Sequence, residues 1–143
     1  MRPMAAALSA LLLFASLPLQ AKAKPKPSKA SAPDPNYVAA LAAADHFLHA
    51  WQTQDHETGL VMLTDSAKRH TSDEHLQDFF SRGNATAQAY EIGRGTRLKP
   101  GRYSFPVTLV VATAGKERAP SRRFSQIIVI RTSKEDWAVD KLP

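Results

Sequence analysis

The residue types that could do chemistry in this chain are few and thinly spread. Asp45 and His49 lie four residues apart, close enough on one helical face to act as an acid–base pair at a pocket rim. The same spacing also describes an exposed i,i+4 ion pair with no chemical task. His46 and His49 stand three apart, which can present two ligands to one metal. No third ligand is near them in sequence, so no metal site is assigned, and no cofactor is expected. Tyr90 and Tyr103 could each donate a phenolic hydrogen bond to a ligand or an oxyanion. They fit equally well as core aromatics with the hydroxyl at a polar rim.

Several chemistries lack their residues. With no cysteine, the chain has no thiolate nucleophile, thiolate metal site or disulfide. No serine sits in a G-x-S-x-G context. Gly93-Arg94-Gly95 falls within a strand-like run and has no helix after it to complete a phosphate loop. Basic and aromatic residues do not interleave as on a nucleic-acid stacking platform, so no nucleic-acid partner is expected. Asn84-Ala85-Thr86 matches a glycosylation sequon, which matters only where the host glycosylates exported chains.

The element that must position any site is the stretch from Asn36 to Trp51. At about 100° per residue, Tyr37, Ala40, Leu41, Ala44, Phe47, Leu48 and Trp51 share one broad face. That width suits a helix lying across a sheet. Asp34 and Pro35 open it as cap and first helical residue, and it runs to about Thr53. Asp55 caps a second helix, His56 to Leu63, whose Leu60, Met62 and Leu63 are expected to turn inward. A polar stretch, Thr64 to Thr71, then leads to a third helix capped by Ser72. Leu76, Phe79 and Phe80 form its apolar side, and Gly83 is expected to end it.

From Ala85 the period changes to two. Tyr90, Ile92 and Leu98 share a parity, and Tyr103, Phe105, Val107, Leu109 and Val111 alternate strictly with their neighbours. Pro106 takes the outward parity, which predicts a bulge or an edge there. Phe124 to Ile130 is almost continuously apolar, as in a strand covered on both faces, with Phe124 read as inward. Trp137 and Val139 share a side of the last run. Glu91, Arg94 and Asp140 carry the opposite parity, and a surface pair with the adjacent Lys141 accounts for Asp140. Helices followed by an antiparallel meander make an α+β domain.

The phrase Phe47-Leu48-His49-Ala50-Trp51-Gln52-Thr53-Gln54-Asp55 resembles the F-x-x-A-W-x-x-x-D opening of nuclear transport factor 2-like domains. Tyr103 to Val107 and Trp137 to Asp140 are similar to the long meander strands of that superfamily. The resemblance spans Asn36 to Leu142. It implies three N-terminal helices packed on a strongly curved antiparallel sheet, forming a cone. It also implies a pocket at Tyr37, Leu48, Trp51, Tyr90, Tyr103, Phe105 and Trp137, and pairing of two copies through the sheet face. Members include isomerases, cyclases, hydrolases, transport factors and exported proteins without known activity, and fold does not choose among these. With no carboxylate on the inward parity, the expected role is non-catalytic binding of a small apolar ligand or a protein. The alternative is an isomerase, cyclase or hydrolase using Asp45 and His49 on a hydrophobic small molecule.

Address and domain limits come from the start of the chain. Ala5 to Leu19 is an apolar run of 15 residues after Arg2, followed by Ala21-Lys22-Ala23. A membrane-spanning helix needs about 20 apolar residues, so residues 1–23 read as a cleaved secretory signal, with Ala21 or Ala23 as the cut site. Residues 24–33 read as an extended Lys/Pro/Ala linker, and 34–143 as the domain. Secretion or a periplasmic address follows, with membrane contact only through the leader or a weak basic tether. The net charge of +6 comes largely from the first residues: 5 of the 19 basic residues precede Asp34, and no acidic residue does. Within the domain, Asp34 to Ser81 holds 2 basic and 8 acidic residues, whereas Arg82 to Pro143 holds 12 and 5.

Overall fold

The structure, a computed structural model, describes residues 32–81, 83–115 and 119–143. The leader and most of the linker read from the sequence lie outside the described residues.

Helix α1 (Pro35–Thr53) begins as its sequence requires. The Asp34 carboxylate accepts the Asn36 N–H at 3.0 Å, and Pro35 supplies a fixed φ where no donor is needed. It ends at Gln54, whose left-handed backbone (φ 63°) aims its N–H at the carbonyls of Ala50 and Trp51. Asp55 then caps α2 (His56–Val61) by accepting the Thr58 N–H and hydroxyl.

The polar stretch after α2 is itself helical: α3 (Asp65–His70) occupies it. It has no apolar period to reveal it. Thr64 caps its start, Asp65 sits in its first turn, and Lys68, Arg69 and His70 sit in its last, which complements the helix dipole. Helix α4 (Asp73–Phe80) is capped by Ser72 and buries Leu76, Phe79 and Phe80. It stops at Ser81 in extended backbone rather than at Gly83, which instead takes φ +53° in the turn that follows.

Leu60 is partly exposed, contrary to the inward reading of α2; Leu63 is buried. The buried residue of the short helix is Gly59, because the Phe80 ring lies against it. A Cβ at position 59 would stand 2.3 Å from two Phe80 ring carbons.

Five antiparallel strands follow: β1 (Ala85–Ile92), β2 (Thr96–Lys99), β3 (Arg102–Thr113), β4 (Ser121–Arg131) and β5 (Trp137–Lys141). The sheet runs β1-β3-β4-β5, and β2 also pairs with β3. Strands β1 and β2 divide one edge of β3 between them, β1 covering Val107–Thr113 and β2 covering Arg102–Ser104. Pro106 falls at the break between them, where its missing N–H leaves no ladder bond unmade; its carbonyl accepts the Gly93 N–H at 2.8 Å. The turn from β2 to β3 uses Gly101 at φ 72°. The free edge of β5 is closed by the chain after α2. Val139 donates to Met62 at 2.8 Å and accepts from Thr64 at 2.9 Å.

The core forms where α1 crosses the sheet. Ala40 and Ala44 are fully buried and let the helix backbone approach closely, while Phe47, Leu48 and Trp51 fill the space beside them. Opposite stand Tyr103, Phe105, Val107 and Leu109 of β3, Ile127 and Val129 of β4, and Val139 of β5. Phe47, Phe79 and Phe80 form an aromatic cluster with ring centroids 5.2–5.9 Å apart.

Strand β4 departs from its sequence reading. Ile127 and Val129 face inward, so Phe124 takes the other parity and is 79% exposed on the outer face. Leu98 is exposed as well, because the run from Ala85 breaks at Gly93–Gly95 and β2 resumes out of register with β1.

Candidate functional site

A cavity of about 450 Å³ opens between α4 and the concave face of the sheet. Its floor is Trp51 from α1, Phe79 from α4, and Leu109 and Val111 from β3. Its polar rim comes from His75, Asp78 and Ser81 on the helix side and from Gln88, Ser121 and Arg123 on the strands. An apolar floor with a few convergent polar groups, at this volume, is the form small-molecule sites take.

Local sequence explains each placement. His75 precedes Phe79 by one turn, so burying Phe79 brings the imidazole to the same side of α4. Gln88 shares the parity of Tyr90 and Ile92 on β1 and pairs with Val111. Arg123 shares the parity of Ile127 and Val129 and pairs with Leu109. The Arg123 guanidinium donates to the Pro143 carbonyl at 3.3 Å. Among the described residues the one ion pair between side chains is Arg102–Asp140, so Asp78 has no cationic side chain paired with it there.

A second opening, a lateral groove of about 530 Å³, lies between α1 and β1 and is lined by Val38, Leu41, Ala42, Asp45, Tyr90 and Ile92. Asp45 does not bond His49. Its carboxylate accepts the Tyr90 hydroxyl at 2.8 Å, because Tyr90 on the concave side of an edge strand reaches the flank of α1. Burial, reinforced by the carboxylate it donates to, pushes the Tyr90 phenol up to about 12. It is therefore held as a neutral donor. His49 itself is exposed on the opposite flank from the core.

The remaining sequence-selected residues are distributed between core and cavity. Trp51 lines the cavity floor, whereas Leu48, Tyr103 and Phe105 are sealed in the core. The Tyr103 hydroxyl donates to Asp34 at 2.8 Å. Tyr37 packs on the Tyr103 and Phe105 rings and accepts the Gly95 N–H at 3.0 Å. Trp137 tilts against Tyr103 from β5. Asp140 is not paired with Lys141: it accepts from Arg102 at 2.7 Å and from Thr64 at 2.8 Å, joining β3, β5 and the α3 cap. Although its own burial works the other way, these two donors hold its carboxyl below the usual range.

His75, Asp78, Gln88 and Arg123 were not legible as site residues. The signal for Arg123 was present: counting back by two from Val129 and Ile127 puts it on the inward face. The run of apolar residues from Phe124 hid that count. Among the described residues no group of three or more His, Asp or Glu side chains is placed to hold a metal.

A helical layer against a five-stranded curved antiparallel sheet, with its opening beside α4, is the cone of nuclear transport factor 2-like folds. The crystal structure of a ketosteroid isomerase-like protein from Erwinia carotovora atroseptica SCRI1043 is similar, with a TM-score of 0.58 at 14% identity. The match covers 76% of this chain and 93% of that one, and it shows the shared fold. No protein-family sequence profile matches the chain, and neither does any curated protein.

Proposed function

We propose that this domain is a binding module whose cone cavity takes a small, largely apolar molecule without transforming it. The observation that carries this reading is the open space over Trp51, Phe79, Leu109 and Val111. Side chains that merely completed a core would close such a space. No polar or charged residue is buried among the described residues. His75 and Asp78 at the cavity rim are exposed, so neither is poised by desolvation, and this supports binding over turnover. The chain's address is extracellular or periplasmic on this reading, set by the leader in residues 1–23.

The test uses the purified full chain and the neutral fluorophore N-phenyl-1-naphthylamine. Binding with 1:1 stoichiometry, weakened about tenfold or more by Val111→Trp, is the expected result. Undiminished binding to the Trp variant, with the melting temperature unchanged, places the probe elsewhere and removes the cavity from the account.

A further inference from the structure

We propose that the outer edge of β1 and the lateral groove beside it receive an extended peptide of a partner protein as an added antiparallel strand. The peptide carries an apolar residue and, two positions later, a lysine or arginine. The lining of this groove shares no residue with that of the cone cavity.

The backbone gives the form of the partner. Strand β1 lies at one end of the sheet order, so only its β3 side is paired. The Gly93 N–H donates to Pro106 of β3 at 2.8 Å, which fixes the alternation. Glu91 and Ala89 also face β3, whereas Ile92, Tyr90 and Gln88 turn their N–H and C=O groups outward. The Gln88 carbonyl agrees with this direction, because it accepts the Gln52 side chain at 3.0 Å. That bond ends the open stretch at Gln88. At Tyr90 and Ile92 nothing among the described residues takes the outward groups, whereas the opposite edge of the sheet is covered at Val139 by Met62 and Thr64. An unpaired edge is a template for a further strand.

The groove gives the peptide its side chains. A residue paired with Tyr90 or Ile92 points its side chain to the same face as theirs, toward the flank of α1. The bonds Tyr37–Gly95 and Asp45–Tyr90 align α1 against β1, so Ile92 faces the turn from Val38 to Leu41. A peptide side chain opposite Ile92 meets Val38, 48% exposed, and Leu41, and an apolar one fits. Opposite Tyr90 it meets Asp45, the charged residue of the groove, which makes no ion pair among the described residues. A basic side chain fits there. Glu91, exposed on the other face of the strand, adds charge of the same sign.

Amide hydrogen exchange of the full chain, read by NMR, tests this with the peptide acetyl-TVTKT-amide as probe. In the chain alone, Ala89 and Glu91 should be protected by β3, while Tyr90 and Ile92 exchange freely. Saturating peptide should slow exchange at Tyr90 and Ile92 about tenfold or more. Glutamate in place of the peptide's lysine should weaken binding about threefold or more. Asp45→Asn, whose amide oxygen still accepts the Tyr90 hydroxyl, should erase that difference. N-methylation of the peptide at its lysine, which removes the donor to the Tyr90 carbonyl, should abolish binding. Protection of Tyr90 and Ile92 in the dilute chain alone would mean that the chain's own residues cover the edge. Protection that rises with chain concentration would mean that a second copy does. Either result overturns the proposal, as do exchange unchanged by the peptide or equal binding of its lysine and glutamate forms.

Discussion

The hydroxyl of Tyr103, 2% exposed in the middle of the sheet, donates to the carboxylate of Asp34 at 2.8 Å. One carboxylate thus caps α1 and satisfies the polar end of a core aromatic, so the start of the long helix is fixed to the longest strand. The Tyr103 hydroxyl, followed by the Asn36 N–H, holds the Asp34 carboxyl below the usual carboxylate range. A carboxyl lowered in the folded state contributes stability above its unfolded pKa, and that contribution is lost as pH falls through the folded pKa. Tyr103→Phe should therefore lower the melting temperature at pH 7, and the difference from the native chain should shrink below about pH 3. A difference that is constant with pH would mean the bond to Asp34 contributes nothing.

Tyr90 gives the opposite sign at the other end of the scale. Its phenol is pushed up to about 12, so between the ordinary tyrosine range and that value the folded chain keeps a proton that the unfolded chain releases. Stability falls as pH rises through this window. Burial and its bond to Asp34 raise the Tyr103 phenol as well, so spectrophotometric titration of the native chain should show two late-ionising phenols, of which Tyr90→Phe removes one. Ionisation of all tyrosines together near pH 10 would contradict the Asp45 contact.

Gly59 tests the packing of α2 on α4. Alanine is the better helix former by about 1 kcal/mol, yet its Cβ would meet the Phe80 ring at 2.3 Å. Overpacking costs about 1–3 kcal/mol, so Gly59→Ala should destabilise in urea by up to about 2 kcal/mol net. In a Phe80→Leu background the same change should be neutral or stabilising. A stabilising effect in the native background would show that the ring yields.

Phe124 tests the outer face, through which we propose two copies pair. It is 79% exposed beside Pro106, Ser125 and Gln126, and an aromatic so placed makes nothing in the isolated chain. Phe124→Glu should leave stability within about 0.5 kcal/mol while shifting sedimentation from dimer to monomer. A native chain that sediments as a monomer throughout the micromolar range removes this partner.

What was legible in the sequence follows the strength of each periodic signal. The stripe on α1 and the alternation of β3 belong to long elements buried on one face, so their patterns survive intact, and with them the α+β cone. The short helix α3 is held by Thr64 and by charges at its two ends, and no hydrophobic pattern marks it. Phe124 misled because an apolar residue on an outer face reads like one in a core. That single misassigned parity concealed Arg123 and, with it, the polar wall of the cavity. Asp45 was visible as a site residue, but its partner lies 45 positions away on an edge strand, a pairing that helical spacing cannot reveal. Local spacing offered His49 instead.

The most direct measurement of the central claim is a two-dimensional NMR titration of the full chain with N-phenyl-1-naphthylamine, with resonances assigned. Binding in the cone predicts the largest shifts at the Trp51 indole and at Phe79, Leu109 and Val111, with Gln88 and Ser121 at the margin. Shifts confined to Phe124 and its outer-face neighbours, or to Val38, Leu41 and Ile92 of the lateral groove, would contradict it.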